Sequence, residues 1–270
     1  RREILKCQES VDVQACPGSG KTTLLVAKLA LLAAKWPSSK QGLCVLSHTN
    51  VARIEIERKL FNTTVGSRLL SYPHFIGTIH GFINEHIAIP WLKSSGRHIE
   101  HIDNHICADR CKNLLYTDKS YSSARYYLEN QDRHSPDQTI RSLCWRWDAP
   151  ELRLSASARK EGKLPCGEGA ATYKQLLDIK RRVSEAGYYM HDDMFAYAEQ
   201  AIAQNPVLIN FIRNRFPVVF LDEMQDTNGK QIEFLHQIFP TTACSLRQRF
   251  GDSNQAIYED RSFETLDEES

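Results

Sequence analysis

The sequence contains no apolar run long enough to cross a membrane. The best candidate, residues 24–36, is interrupted by Lys28 and Lys35 and is shorter than the roughly 20 apolar residues that a spanning helix needs. No secretory signal is visible either, and the chain opens on Arg1 rather than Met. We therefore expect an internal piece of an intracellular protein, located in the cytoplasm or nucleus, neither secreted nor bound to a membrane.

A large net charge and paired cysteines are also absent. The 34 Lys and Arg against 33 Asp and Glu leave a net charge of +1, so the chain is outside the strongly basic class of nucleic-acid-binding domains, although a local basic track would suffice to grip DNA. The eight cysteines show no evenly spaced pairs, which predicts free thiols in a reducing compartment. With 41% hydrophobic and 25% charged residues, the composition is that of a globular protein large enough for more than one domain.

Strand and helix patterns alternate along the first part of the chain. Strands are predicted at residues 11–15, 42–48 and 75–78, and helices at 22–35, 50–60 and from His80 onward. This alternation predicts a parallel α/β sheet with helices on both faces.

From residue 88 the pattern changes to a His-, Arg-, Asn-, Ser- and Tyr-rich stretch with short apolar runs. It predicts an inserted, mostly helical subdomain over 88–205, with helices at 108–116 and 173–186. Sheet character returns at 217–221, and a last strand is expected near 245–250, although Arg247, Gln248 and Arg249 are poor residues for a core strand. The predicted organisation is therefore a first domain part at 1–87, the insertion at 88–205, a second domain part at 206–258 and an acidic tail or linker at 259–270.

The strongest motif is a glycine-bearing turn between the first strand and the first helix. Gly18 and Gly20 would let backbone N–H groups turn toward phosphate oxygens. Lys21 would reach the β and γ phosphates, the Thr22 hydroxyl would coordinate Mg²⁺, and the positive helix end would face the anion. This is a Walker A loop, and its predicted nucleotide-binding residues are Ala15, Cys16, Pro17, Gly18, Ser19, Gly20, Lys21, Thr22 and Thr23.

An acidic pair follows the apolar segment 217–221 and supplies the partner that a Walker A loop needs. Asp222 would hold Mg²⁺ through water, and Glu223 would orient and activate the attacking water. Together the two motifs predict a P-loop NTPase.

The residues in and around these motifs narrow the class of P-loop NTPase. Residues 222–228 (DEMQDTN) resemble motif II of UvrD/Rep-like superfamily 1 DNA helicases, and residues 251–258 (GDSNQAIY) resemble their motif III. Residues 49–52 (TNVA) and 77–82 (GTIHGF) resemble motifs Ia and Ib, and Asp192-Asp193-Met194 fits the same family. The resemblance covers the chain from end to end and implies a RecA-like fold that uses ATP and Mg²⁺ to move on single-stranded DNA.

The resemblance also implies roles for individual residues. Gln255 would sense the γ-phosphate and join Lys21, Asp222 and Glu223 in the catalytic set. Gln225 and Asp226 would link the nucleotide to the moving interface, and Tyr258 would lie where the nucleotide and DNA sites meet. The single-strand track would consist of His48, Thr49, Asn50, Thr78 and His80, and the insertion would be the accessory helical subdomain.

The sequence departs from the family pattern at several places. His48 stands where relatives have a stacking aromatic residue, and Glu259-Asp260-Arg261-Ser262 replaces a tryptophan-bearing segment. Arg1 stands where relatives have the glutamine that reads adenine, and Gln8 is too close to the Walker A loop to replace it.

The family's motifs IV to VI, with the arginines that complete the transition-state charge, belong to a second RecA-like domain that nothing after Tyr258 could encode. We therefore expect that domain in the parent chain or in trans, and poor turnover by this chain alone. The alternative is a truncated regulatory module that binds ATP and DNA or a partner without efficient turnover. Repair, recombination and defence against foreign DNA are all compatible with the motifs.

Two further clusters have competing interpretations. His101, His105, Cys107 and Cys111 could hold zinc, but the spacing matches no known zinc module and favours buried thiols beside surface histidines. Residues 141–147 (RSLCWRW) could stack on DNA or form a helix with both tryptophans packed inward, and packing is favoured.

Overall fold

A computed structural model of the chain describes residues 2–14, 19–132, 134–157, 162, 164, 166–222, 229–240 and 246–251. The chain forms two compact units. The first combines Arg1–Phe82 with Val207–Ser270, and the second is Ile83–Pro206. No helix in the described part of the chain is long and apolar enough to cross a membrane.

The elements follow in chain order, with the second unit inserted in the first. The chain begins with α1 (Arg2–Lys6), β1 (Val11–Gln14), α2 (Lys21–Ala34), β2 (Leu43–Ser47), α3 (Asn50–Phe61), α4 (Gly66–Leu69), β3 (Phe75–Thr78) and α5 (Ile79–Ile83). The second unit contains a π-helical stretch (Asn84–Ala88), α6 (Ile89–Ser94), β4 (His101–Ile102), α7 (Asn104–Thr117), a 3-10 turn (Lys119–Tyr121), α8 (Ser122–Asn130), α9 (Pro136–Ser142), β5 (Leu143–Asp148), β6 (Glu151–Ala156), α10 (Ala171–Glu185), β7 (Tyr188–Tyr189) and α11 (His191–Gln204). The first unit then resumes with α12 (Val207–Arg215), β8 (Val218–Asp222), α13 (Gly229–Ile238) and β9 (Leu246–Gly251).

The first unit is built on a parallel sheet, which in the described residues has five strands in the order β1-β9-β8-β2-β3. The predicted α/β class with a parallel RecA-like sheet is confirmed. Both faces of the central strands are covered, because β2 is buried at every position. Strands buried on both faces read as continuous apolar runs, which explains why β2 and β8 were easy to predict.

Helices α2 and α3 cover one face of this sheet. Leu25 and Leu29 of α2 and Ile56 of α3 pack against strand residues that include Val45 and Phe220. The opposite face has an aromatic core, since the Phe82 ring lies 5.8 Å from the rings of both Phe216 and Phe239, measured between centroids. Neighbours of Phe220 along β8 point to this second face because side chains alternate along a strand.

The polar strand β9 lies between β1 and β8 rather than at an edge. Its side chains are accommodated by specific partners: Arg249 forms an ion pair with Asp12, its register partner on β1. Arg247 donates to the Phe239 carbonyl at 3.0 Å, and Gln248 donates to the Glu9 carbonyl at 2.8 Å. The predicted strand is therefore confirmed, and its unfavourable composition is partly offset because each of these three side chains has at least one hydrogen-bond or ion-pair partner.

A buried lysine holds the segment before β1 against the helix after the Walker A loop. The Lys28 ammonium of α2 donates to the carbonyls of Ile4 at 2.7 Å and Cys7 at 2.8 Å. Burial lowers the pKa of Lys28, and a smaller effect of Cys7 opposes it. This lysine caps the end of α1, where carbonyl groups lack helical partners.

The second unit contains helices and two small sheets. Helix α10 packs against α7 and α8 around a core that includes Leu115, Leu128 and Leu176. Strands β4 and β7 pair in parallel, and β5 and β6 form an antiparallel hairpin.

The helix predicted at residues 141–147 is wrong, because Leu143–Asp148 is strand β5. Trp145 is buried and donates from its indole nitrogen to the Ser184 hydroxyl at 2.8 Å, whereas Arg146 is exposed. Residues 143–145 are all buried, and only the second half of the strand, with Arg146 and Asp148 exposed and Trp147 half-buried between them, shows the alternation expected of a strand. The packing interpretation thus holds for Trp145, with strand geometry in place of helix geometry.

Candidate functional site

The predicted site residues of the first unit follow the carboxyl ends of its parallel strands. These ends share one edge of the sheet, where α/β proteins bind ligands. Gln14 at the end of β1 pairs with Gly251 of β9. Asp222 at the end of β8 pairs with Phe250 of β9 on one side and with Ser47 of β2 on the other. Strand β1 ends at Gln14 and β8 ends at Asp222, and the two strands are two strand spacings or about 10 Å apart across β9.

The described part of the Walker A loop forms the start of helix α2. Gly20 has a φ of 83° and precedes the helix, of which Lys21 is the first residue. A Cβ at Gly20 would meet nothing within 4 Å, so glycine is needed here for its left-handed backbone and not for space. The loop residues Ala15, Cys16, Pro17 and Gly18 lie outside the described residues.

Positive charge is concentrated at this helix end. Lys21 is buried, and the first turn of α2 contains no acidic residue. The N-terminus of a helix carries a partial positive charge, and the ammonium group of Lys21 adds a second positive charge at the same place. Thr22 is half-buried beside it, and the hydroxyl of exposed Thr23 accepts a hydrogen bond from Lys59 at 3.3 Å. An anion such as a phosphate group would offset this charge.

Asp222 is the acidic group on this edge that the structure describes, and it is 1% exposed. The residues that follow it in motif II, including Glu223, Gln225 and Asp226, lie outside the described part of the chain. The same holds for Gln255 and Tyr258 in motif III. Their predicted roles therefore stay predictions.

The residues matched to motif Ia form the start of helix α3. Thr49 is the N-cap: its hydroxyl accepts from the Ala52 amide at 3.2 Å and its carbonyl accepts from the Arg53 amide at 3.1 Å. Thr49 and Asn50 are exposed and His48 is half-buried. The hydroxyl hydrogen of Thr49 is not used in the cap, because a capping hydroxyl acts as the acceptor.

Replacing Thr49 by alanine is expected to lower the free energy of unfolding by about 1 kcal/mol, because an N-cap acceptor is lost. Thr49→Ser keeps the oxygen and should lose much less. Urea unfolding of both variants measures the difference, and equal losses would show that the methyl group rather than the cap matters.

The residues matched to motif Ib show the same local arrangement at the next strand. Thr78 ends β3, and its hydroxyl accepts from the Gly81 amide at 3.0 Å. His80 follows in α5 and is half-buried. Thr49 and Thr78 thus end up in similar turns after neighbouring strands, each with its hydroxyl oriented by a backbone amide.

One residue that the sequence analysis missed lies between these two turns. Ser47, the last residue of β2, is buried, and its hydroxyl donates to the carbonyls of Thr49 and Gly77. A polar residue that closes an apolar strand is the only signal the sequence offers for it. Its position next to both turns follows from the pairing of β2 with β3.

Of the two acidic residues flagged before motif II, Asp193 contributes to the second unit's core and Asp192 is exposed. Asp193 is fully buried and forms an ion pair with Lys180 at 2.7 Å. Its carboxylate also accepts from the amides of Trp145 and Met190, each at 2.7 Å. Asp193 therefore holds α10, α11 and β5 together.

The candidate zinc residues do not converge. His101 and His105 are exposed, whereas Cys107 and Cys111 are buried on α7. Across the described residues no three His, Cys, Asp or Glu side chains are placed to share a metal ion. The interpretation as buried thiols beside surface histidines is the better one. Burial also raises the pKa of the Cys144 thiol, elsewhere in the second unit, to about 12, which keeps it protonated.

The chain combines a parallel sheet, a helix that starts at the Walker A lysine and a strand that ends in an acidic residue. These features define the class of P-loop NTPases with a RecA-like fold. The chain matches the family described as UvrD/REP helicase N-terminal domain over residues 1–264, and it belongs to that family. The resemblance found in the motifs is confirmed.

Proteins with similar sequences include DNA helicase II homologues and a subunit of the RecBCD enzyme. A "Probable DNA helicase II homolog" of Mycoplasma capricolum subsp. capricolum is 25% identical over 260 residues, covering 94% of this chain and 34% of that protein. A protein with the same description from Rickettsia felis is 21% identical over 96% of this chain and 37% of its own length. The RecBCD enzyme subunit RecB of Escherichia coli is 40% identical over 84 residues, 29% of this chain and 7% of RecB. The chain thus spans about a third of the length of the first two relatives.

Proposed function

We propose that this chain is the ATP-binding half of a motor that uses ATP to move along and unwind DNA from a single-stranded track. The observation that supports this most is the placement of three elements on one sheet edge: the start of α2, Asp222, and the threonine turns after β2 and β3. Membership of the UvrD/REP helicase N-terminal family supports DNA as the substrate class.

The nucleotide would bind at the start of α2. Lys21 would contact the β and γ phosphates, where its charge and the helix end both attract anions. The Thr22 hydroxyl and the Asp222 carboxylate offer oxygen ligands, which suit Mg²⁺. When bound, Mg²⁺ would neutralise phosphate charge as it develops. Glu223 would orient the attacking water, and Gln225, Gln255 and Tyr258 would connect the nucleotide to the DNA site.

Single-stranded DNA would cross the turns after β2 and β3. The hydroxyl oxygens of Thr49 and Thr78 accept from helix amides, so their hydrogens would be free to donate to backbone phosphates. Asn50 would add an exposed amide. His48 and His80 would contact the strand beside them, with weaker stacking than an aromatic residue of larger area. The second unit would act as the accessory subdomain, and a second RecA-like domain would supply the arginines that the family resemblance assigns to it.

A binding experiment with a matched blank tests this proposal. The chain should bind Mg·ATP and a labelled oligothymidylate. Lys21→Ala should weaken Mg·ATP binding about 10- to 100-fold, because a hydrogen bond between charged groups is lost. DNA affinity in the absence of nucleotide should change little. Titration of a fluorescent ATP analogue and DNA anisotropy measure both. A chain that binds neither, or binds ATP equally well without Lys21, would refute the proposal.

A further inference from the structure

Ser47 lies on the edge described above, between the ends of β8 and β3. It is the last residue of β2, and its register partners are Asp222 at the end of β8 and Thr78 at the end of β3. Only 1% of it is exposed, so it contacts neither DNA nor nucleotide directly. Any effect it has on these ligands must act through its neighbours.

The Ser47 hydroxyl bridges two turns of the chain. Its oxygen lies 3.1 Å from the Thr49 carbonyl and 3.4 Å from the Gly77 carbonyl. A hydroxyl has one hydrogen to donate, which is shared between these two acceptors. One acceptor lies in the turn that begins α3 and the other directly precedes Thr78. A single buried group therefore ties the turn after β2 to the last part of β3, one residue before Thr78.

This bridge fixes the position of two exposed hydrogen-bond donors. Within each turn the threonine hydroxyl is oriented by a backbone amide, that of Ala52 for Thr49 and that of Gly81 for Thr78. These contacts orient each hydroxyl but do not set the distance between the two turns. Pairing of β2 with β3 sets the spacing of the two strand ends, and the Ser47 hydroxyl adds a side-chain tie from this point to the Thr49 and Gly77 carbonyls. Donors held in position bind a ligand more tightly than donors that must be ordered on binding.

We propose that Ser47 is a positioning residue for single-stranded DNA, which acts by holding the Thr49 and Thr78 turns at the spacing that adjacent contacts on one strand require. The proposal rests on the proposed function. It adds a residue that does not itself contact the strand.

Two substitutions of Ser47 and one control in the full chain test this role. Anisotropy of a fluorescein-labelled oligothymidylate should show about fivefold weaker binding for Ser47→Ala, which loses the donor. Ser47→Thr keeps the hydroxyl and should bind within about twofold of the unsubstituted chain. The control is Ser142→Ala in the second unit, where a buried hydroxyl donates to the Thr139 carbonyl at 2.8 Å. It should lower the melting temperature similarly and leave DNA binding intact.

A coupling measurement separates positioning from general loosening of the fold. If Ser47 acts through the threonines, Ser47→Ala should cause no further loss in a chain that already carries Thr49→Ala and Thr78→Ala. An undiminished loss in that background, or unchanged DNA affinity of Ser47→Ala while the unsubstituted chain binds well, would overturn the positioning role. Failure of the unsubstituted chain to bind DNA would instead refute the proposed function, and this inference with it.

Discussion

Expressed alone, this chain is expected to hydrolyse ATP about 10³- to 10⁵-fold more slowly than the same sequence joined to a second RecA-like domain, the range that an arginine finger contributes in related phosphoryl transfers. The transition state spreads charge over three oxygens of the transferred group. Lys21 and a Mg²⁺ ion held by Thr22 and Asp222 would neutralise only part of it. The family resemblance assigns the remaining positive charge to arginines of the second domain.

Steady-state turnover with saturating oligothymidylate measures this difference, with the second domain present in cis or added separately. Lys21→Ala provides the blank in each case, so that contaminating ATPase activity is subtracted. DNA-stimulated turnover of about 1 s⁻¹ or more, a typical rate for such enzymes, by the chain alone and lost in the blank would contradict the prediction. Nucleotide binding without turnover would agree with it.

Removal of one partner of the Lys180–Asp193 pair is expected to lower the free energy of unfolding by about 3–5 kcal/mol, because an uncompensated charge stays buried. Both side chains are 0% exposed. Asp193→Ala also leaves the Trp145 and Met190 amides without their acceptor, so it should cost at least as much as Lys180→Met. A chain that carries both changes should lose less than the sum of the two.

Urea unfolding followed by tryptophan fluorescence measures these losses. Asp192→Asn is a matched control, since Asp192 is the exposed neighbour of Asp193 and surface changes usually stay within about 0.5 kcal/mol. Losses below about 1 kcal/mol for both single variants would show that the pair is dispensable.

The charge state of Lys180 supports this expectation. Burial alone would lower its pKa, but the Asp193 carboxylate beside it, with contributions from Cys107 and Cys111, outweighs burial and raises it. A raised pKa in the folded chain stabilises the fold at pH values below the ordinary lysine value of 10.5. That stability is lost only as the pH rises through the folded value. The pair should therefore remain intact at neutral pH.

Sequence patterns predicted the elements of the first unit well, because its strands are apolar runs and its turns are motifs with a chemical reason. Thr49 and Thr78 could be placed on the same edge from the motifs alone. Ser47 could not, since its role depends on which strands are neighbours, and pairing of β2 with β3 is a tertiary fact. The partners of Arg249 and Arg247 on β9 were hidden for the same reason.

The second unit was predicted less well, because its short apolar runs fit both helix and strand. Trp145 and its neighbours were predicted as a helix, although they form a strand. A short segment with two tryptophans is compatible with the periodicity of either structure. Asp193 was noticed as part of a family pattern. Its burial beside Lys180, thirteen positions earlier in the sequence, became clear only when α10 and α11 were seen together with β5.

The position of β9 has a consequence for how the protein is made. In the described sheet β1 has a single neighbour, and that neighbour is β9, more than two hundred residues later in the chain. A ribosome therefore releases the Walker A segment long before the strand that will hold it exists. Contacts so distant in sequence form slowly. Nucleotide binding should thus appear only after β9 has been synthesised, so that a nascent chain cannot capture ATP until both halves of the sheet have met.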